Sequence, residues 1–279
     1  AQLRAMRTKR ASLERIAAAS AAAPEAARAD PSDLVAGLRK GLSVIESFNS
    51  IRSRLSVSEA ARRAQISRAA ARRYLLTLAE LGYVGTDGKE YWLNPRVLRL
   101  AGAYLTSAEL PRLLQPILNR VTSLTGESAA AAVLDGDDVI HIARCVSARI
   151  VSYGLQPGTH LPAYCTSTGK MLVASLPPAD ADAWVARQTL KAFTRKTPVT
   201  HEALRAQVEA ARHAGYALAS EEYVHGVAVV AVPVRNNAGE VLAAISVIVD
   251  PLRYAERDLV EKLLPPLRAC ELEARALLS

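Results

Sequence analysis

Apolar residues in the first hundred positions recur at helical spacing and then give way to short alternating runs. In "GLRKGLSVIESF", Leu38, Leu42, Ile45 and Phe48 fall near helical spacing, which predicts a first helix. Ser56 or Ser58 can cap a second, "SEAARRAQ", whose Ala60, Ala61 and Ala64 allow close packing against a neighbour. After a turn at Gln65-Ile66, Ser67 can cap a third. There Ala71, Leu75 and Leu78 make one stripe, and Gly82 stands where a left-handed C-cap belongs. "YVGTDGKEYWL" then reads as two short strands about a tight Asp87-Gly88 turn. Three helices followed by a hairpin predict a winged helix-turn-helix.

Asn94 as N-cap and Pro95 at the first helical position start a helix that leaves this small domain, and Pro111 opens another that closes at Thr125-Gly126. Strands and helices alternate from there. Two strands flank Gly136-Asp137, one lies at "RIVSYGL", one at "GYALAS", and two more flank Asn237-Ala238-Gly239. Helices are expected near 167–174, 179–188, 200–213 and 254–278. The expected fold class is α+β, in four parts. Residues 1–33 are a basic Ala/Arg-rich tail, 34–94 the winged helix-turn-helix, 95–110 a linker helix, and 111–279 an α/β effector domain with one antiparallel sheet.

Charge sharpens this division. The net charge is +8, yet residues 1–100 hold 18 Lys and Arg against 9 Asp and Glu, whereas 101–279 hold 17 against 18. A basic module joined to a neutral domain is the footprint of a nucleic-acid binder with a second task. No apolar run approaches the roughly 18 residues that span a bilayer. Cys145, Cys165 and Cys270 are odd in number and far apart, as expected of reduced thiols in a cytoplasmic protein. Neither a metal nor another cofactor is expected.

The third helix carries Arg68, Arg72 and Arg73. At about 100° per residue, Arg73 lies nearly opposite the apolar stripe, with Arg68 and Arg72 on its flank. Arginine on a helix is usually solvated surface, but third place in a trihelical unit followed by a basic hairpin favours DNA. Arg72 and Arg73 are the candidates for reading bases, and Ser67, Arg68 and Lys89 for holding phosphates.

Together, "GLRKGLSVIESF", "ISRAAARRYLLTLAELGYV", "NPRVLRLAGAYL", "LPAYCTSTGKMLVASL" and "EVLAAISV" resemble the IclR family of bacterial transcriptional regulators. The forms of the second and fourth resemble the branch that controls β-ketoadipate-pathway and related aromatic-acid catabolism. The resemblance runs over about residues 37–276. It implies a GAF-like effector domain, homodimers that often pair into dimers of dimers on double-stranded operator DNA, and a small carboxylate effector. Protocatechuate, 4-hydroxybenzoate and β-ketoadipate are the effectors the branch implies, and a non-aromatic acid is the alternative.

Carried over by motif, the pocket positions are Ser167 and Thr168 in "CTSTGK", Ala219 before "SEEYVHG", Val229 in "GVAVVAV" and Ser246 in "AAISV". Helix physics adds an independent reason for the first pair, because free N–H groups and the positive dipole end of a helix favour a carboxylate. Thr166 and Ser246 hydroxyls can add hydrogen bonds, although Thr166 and Ser167 can equally serve as N-caps. His141 and Tyr153 are the candidates for the opposite wall. Strict alternation along "DVIHIARCV" puts His141 with Ala143, and Ile140, Ile142 and Arg144 on the other face.

Enzyme motifs fail in detail. A phosphate loop needs glycine five residues before Gly169, where Tyr164 stands. "HEALR" lacks the second histidine of a zinc-protease helix, and no serine sits in a G-x-S-x-G elbow. An unregulated DNA-packing protein is the remaining alternative, and it leaves the neutral C-terminal domain without a task.

Overall fold

The computed structural model describes residues 34–49, 52–147 and 155–278. The N-terminal tail, Tyr153 and nearly all of the strand expected at "RIVSYGL" lie outside the described residues. The described chain forms two compact units, 34–107 and 108–278.

In the first unit, α1 (Ala36–Glu46), α2 (Val57–Arg63) and α3 (Arg68–Glu80) surround a small core of Val44, Phe48, Leu55, Ala60, Leu75 and Leu78, closed by Val84 and Tyr91. Ser56 caps α2 in a capping box: its hydroxyl accepts from the Glu59 N–H, and the Glu59 carboxylate accepts from the Ser56 N–H. The turn into α3 carries Gln65 at φ 53°, and the Ile66 N–H reaches the Ala61 carbonyl. Ser67 caps α3 by accepting from Ala70, and Gly82 at φ 77° ends it, with the Tyr83 N–H bonded to the Leu78 carbonyl. Leu38 and Leu42, placed on the inner stripe by spacing, are exposed. Ile45 and Phe48 turn inward as expected, and Val44 joins them.

Strands β1 (Leu55–Ser56), β2 (Val84–Thr86) and β3 (Glu90–Leu93) form a sheet in the order β1-β3-β2. A two-residue segment carries too little pattern for β1 to be read from sequence. The tight turn sits one residue later than expected: the Asp87 N–H bonds the Glu90 carbonyl, so Gly88, at φ 91°, and Lys89 are its central residues. The Asp87 carboxylate accepts from the Glu90 and Lys89 N–H groups, which hold its pKa below the ordinary value. A 3-10 turn (Pro95–Val97) leads into α4 (Leu98–Ser107). Asn94 does not cap it with its side chain; that amide donates to the Gly82 carbonyl and ties the hairpin back to the end of α3.

The second unit opens with α5 (Glu109–Thr125), which starts two residues before Pro111 and ends on left-handed Gly126. Six antiparallel strands follow: β4 (Ser128–Asp135), β5 (Asp138–Cys145), β6 (His160–Pro162), β7 (Ala217–Ser220), β8 (Ala228–Arg235) and β9 (Val241–Val249). Their order is β6-β5-β4-β9-β8-β7. β6 was not expected, being short and interrupted by Pro162. Helices α6 (Ser167–Ala174), α7 (Pro178–Ala186) and α8 (His201–Ala214) cover one face. The other face packs on α5 and on the C-terminal helix, in which α9 (Glu256–Asp258) runs through a π turn into α10 (Leu264–Leu277).

Candidate nucleic-acid interface and effector site

The buried stripe of α3 comprises Ala71, Leu75 and Leu78, with Tyr74 half-buried against the same core. Arg68, Arg72 and Arg73 are all exposed, as are Ser67, at the helix N-terminus, and Lys89, in the turn of the wing. Among the described residues, nearby ion pairs use other cations: Arg52 pairs with Glu59 at 2.9 Å and Arg54 with Asp87 at 3.4 Å. Arg54 also lies 4.2 Å from the Trp92 ring centroid and braces the wing. The guanidinium groups of α3 therefore remain available for an anionic partner. Side-chain chemistry and groove-sized presentation suit them to duplex DNA.

In the second unit, α6 begins at Thr166, whose hydroxyl accepts from the Gly169 N–H and donates to the Ala163 carbonyl. That hydroxyl is committed to the cap. Ser167 is the residue of interest, because it is 1% exposed and its Oγ has no hydrogen-bond partner among the described residues. Thr168 is buried beside it. A buried hydroxyl without a partner costs about 1–3 kcal/mol. Here it stands in the first turn of a helix whose positive end favours an anion.

The sheet face that packs on α6 is built of short side chains. Pairing aligns Ala217, Ala231, Ser246, Ala130 and Arg144 in one row across five strands, and Ala219, Val229, Ile248 and Ser128 in the next. Ala244, Ala132 and His141 form a third row. Ala132, Ala217, Ala231 and Ala244 pack with Met171, Leu172 and Val173 of α6, which places these rows on its side of the sheet. Ser246, Ala219, Val229 and His141 thus share one face with α6.

One expectation is overturned. β5 carries a bulge opposite Ala131 and Ala132, so Ala143 pairs with Ala131, whereas His141 pairs with Ala132 and Arg144 with Ala130. The extra residue, Ile142, flips the alternation. His141 and Arg144 therefore lie on the same face, and Ala143 turns to the other core. Arg144 donates from Nη1 to the Leu155 carbonyl, while its Nε is buried without a partner. Strict alternation places Arg144 on the wrong face, because a bulge depends on the partner strand. Burial pulls the His141 pKa down to about 4, so the imidazole is neutral near pH 7; its Nδ1 lies 3.3 Å from the Thr159 carbonyl.

A basic winged helix-turn-helix on the same chain as a sensor-type domain with a buried polar seat defines a ligand-responsive DNA-binding regulator. The IclR helix-turn-helix domain family matches residues 37–88, and the bacterial transcriptional regulator IclR C-terminal family matches residues 102–275. The p-hydroxybenzoate hydroxylase transcriptional activator of Acinetobacter baylyi is 38% identical over 88% of this chain and 92% of its own. The Pca regulon regulatory protein of Pseudomonas putida is 38% identical over 91% of this chain and 87% of its own. A crystal structure of an IclR homolog from Microbacterium hydrocarbonoxydans, complexed with 4-hydroxybenzoate, is 28% identical, covers 86% of this chain and 100% of that one, and has a TM-score of 0.65. The chain belongs to the IclR family of bacterial transcriptional regulators and is not an enzyme.

Proposed function

We propose that this regulator controls aromatic-acid catabolic genes in the cytoplasm and responds to a small aromatic carboxylate seated at the N-terminus of α6. The carrying observation is the buried, unpartnered Ser167 hydroxyl in the first turn of that helix. The carboxylate accepts from Ser167 and from free N–H groups of α6, a placement worth about 0.3–1 kcal/mol from the helix dipole alone. Arg144, with its unpaired Nε on the same face, supplies a charge-assisted partner for a second polar group or for the carboxylate itself. Ala219 and Val229 offer an apolar wall to the ring, and neutral His141 a hydrogen bond to a ring hydroxyl. The names of the Acinetobacter and Pseudomonas relatives, and the hydroxybenzoate bound to the Microbacterium homolog, support the aromatic class.

On the DNA side, Arg72 and Arg73 read base edges, while Ser67, Arg68 and Lys89 hold phosphates. The active species is a homodimer, itself able to pair. Exposed Leu38 and Leu42 on α1, with Leu98, Leu100, Tyr104 and Leu105 on α4, supply apolar surface for that association. Two-fold symmetry implies a pseudo-palindromic operator.

The test is selection of a duplex from a random-sequence pool, followed by anisotropy titration of that duplex with and without 4-hydroxybenzoate. A dose-dependent change in affinity is expected. An affinity indifferent to 4-hydroxybenzoate, protocatechuate and benzoate alike would overturn the aromatic reading.

A further inference from the structure

Lys170, one turn into α6, is 2% exposed and lies 2.6 Å from Glu222 and 3.3 Å from Gln207. The pair lines a cleft of about 480 Å³ beside β7, which touches the Ser246 and Arg144 row only at its β7 end, Ala217. One buried acceptor is left unmet. Glu222 uses one carboxylate oxygen for Lys170, and the other, buried, has no partner among the described residues. Glu256, whose charge acts on both Lys170 and Glu222, also lines the cleft and has no ion pair among the described residues. The second lysine of the cleft, Lys196, is occupied by Glu221 at 2.7 Å.

Buried Glu222 and exposed Glu256 thus line the cleft with one buried ammonium, Lys170. A buried carboxylate oxygen without a donor is costly, burial pushes the Glu222 pKa up, and a cationic donor would offset both. Among the other lining residues, Ala210, Ala211 and Ala214 of α8, with Leu218, form an apolar stretch for an alkyl chain, and Tyr216 and Ser220 add hydroxyl groups.

We infer that this cleft is a second ligand site, and that it takes a small aliphatic ammonium compound. The ammonium donates to the free oxygen of Glu222 and to Glu256, after a small rotation of the Glu222 carboxylate, while the carbon chain lies on the alanines. Because Lys170 and Ser167 share the first turns of α6, occupancy of the cleft also bears on the effector seat.

The experiment is calorimetric titration of the full chain with n-butylammonium chloride, beside sodium butyrate and sodium chloride at equal ionic strength. Saturable binding of butylammonium alone is expected. Glu256→Gln, a change at an exposed position, should weaken it by about tenfold, as the loss of one charge-assisted hydrogen bond implies. Arg144→Met, in the proposed aromatic seat, should leave it unchanged, so failure of that seat and failure of this site are distinguishable. Absence of saturable binding, equal binding of butyrate, or indifference to Glu256→Gln would each overturn the proposal.

Discussion

Arg73 shows how far single residues carry the account. Its exposure follows from a stripe of three apolar positions, so that exposure was legible in the sequence. If it reads a base, Arg73→Ala should cost about 1–3 kcal/mol at the operator and relax discrimination at one base pair; Lys89→Ala should lower affinity for all duplexes and reduce the salt slope by about one. Titrations of cognate and scrambled duplexes at several salt concentrations check both. His141 makes a different prediction. Its folded pKa, about 4, lies below the ordinary value of 6.5, so the unfolded chain binds the proton more readily between those limits. Stability from this residue is full above pH 6.5 and falls as pH drops toward 4, by up to about 3 kcal/mol. Urea unfolding across that range should show the loss, and His141→Gln should flatten it. Burial of His141 was not legible, because it needs the β4 register, and its shared face with Arg144 needs the bulge.

Among the elements, α6 is the most constrained. A Cβ on Gly169 would meet the Ala163 carbonyl oxygen at 2.2 Å, and backbone cannot swing aside as a side chain does. Gly169→Ala should therefore displace α6, lower the melting temperature of the second unit, and abolish the effector response. Calorimetry against a hydroxybenzoate titration tests this. In the helix-turn-helix, Gln65 holds a left-handed conformation that glycine adopts freely. Gln65→Gly should stabilise the first unit by about 1 kcal/mol, as urea unfolding would show. Helices and hairpins with caps were readable, since Ser56, Ser67, Gly82 and Gly126 act locally. β1 and β6 were not, because such short segments become strands only through their neighbours. Asn94 stands at the N-cap position as expected, but its amide is claimed by Gly82, twelve residues away, which local sequence does not reveal.

At the scale of the whole molecule, the split of charge near residue 100 anticipated a division into two tasks, and the chain passes from one compact unit to the other between residues 107 and 108. Composition could do this because phosphate affinity depends on net charge, whereas effector choice depends on a few contacts. The exposed leucines of α1 mark where the apolar pattern exceeds what one copy buries. The central claim joins the two halves: a DNA-binding regulator takes an aromatic carboxylate at the α6 N-terminus. The most direct test is calorimetric titration of 4-hydroxybenzoate and protocatechuate into the wild type and into Ser167→Ala and Arg144→Met. One-site binding to the wild type, weakened roughly tenfold or more in both variants, is the predicted result. Binding that both variants leave intact would place the effector elsewhere and contradict the account.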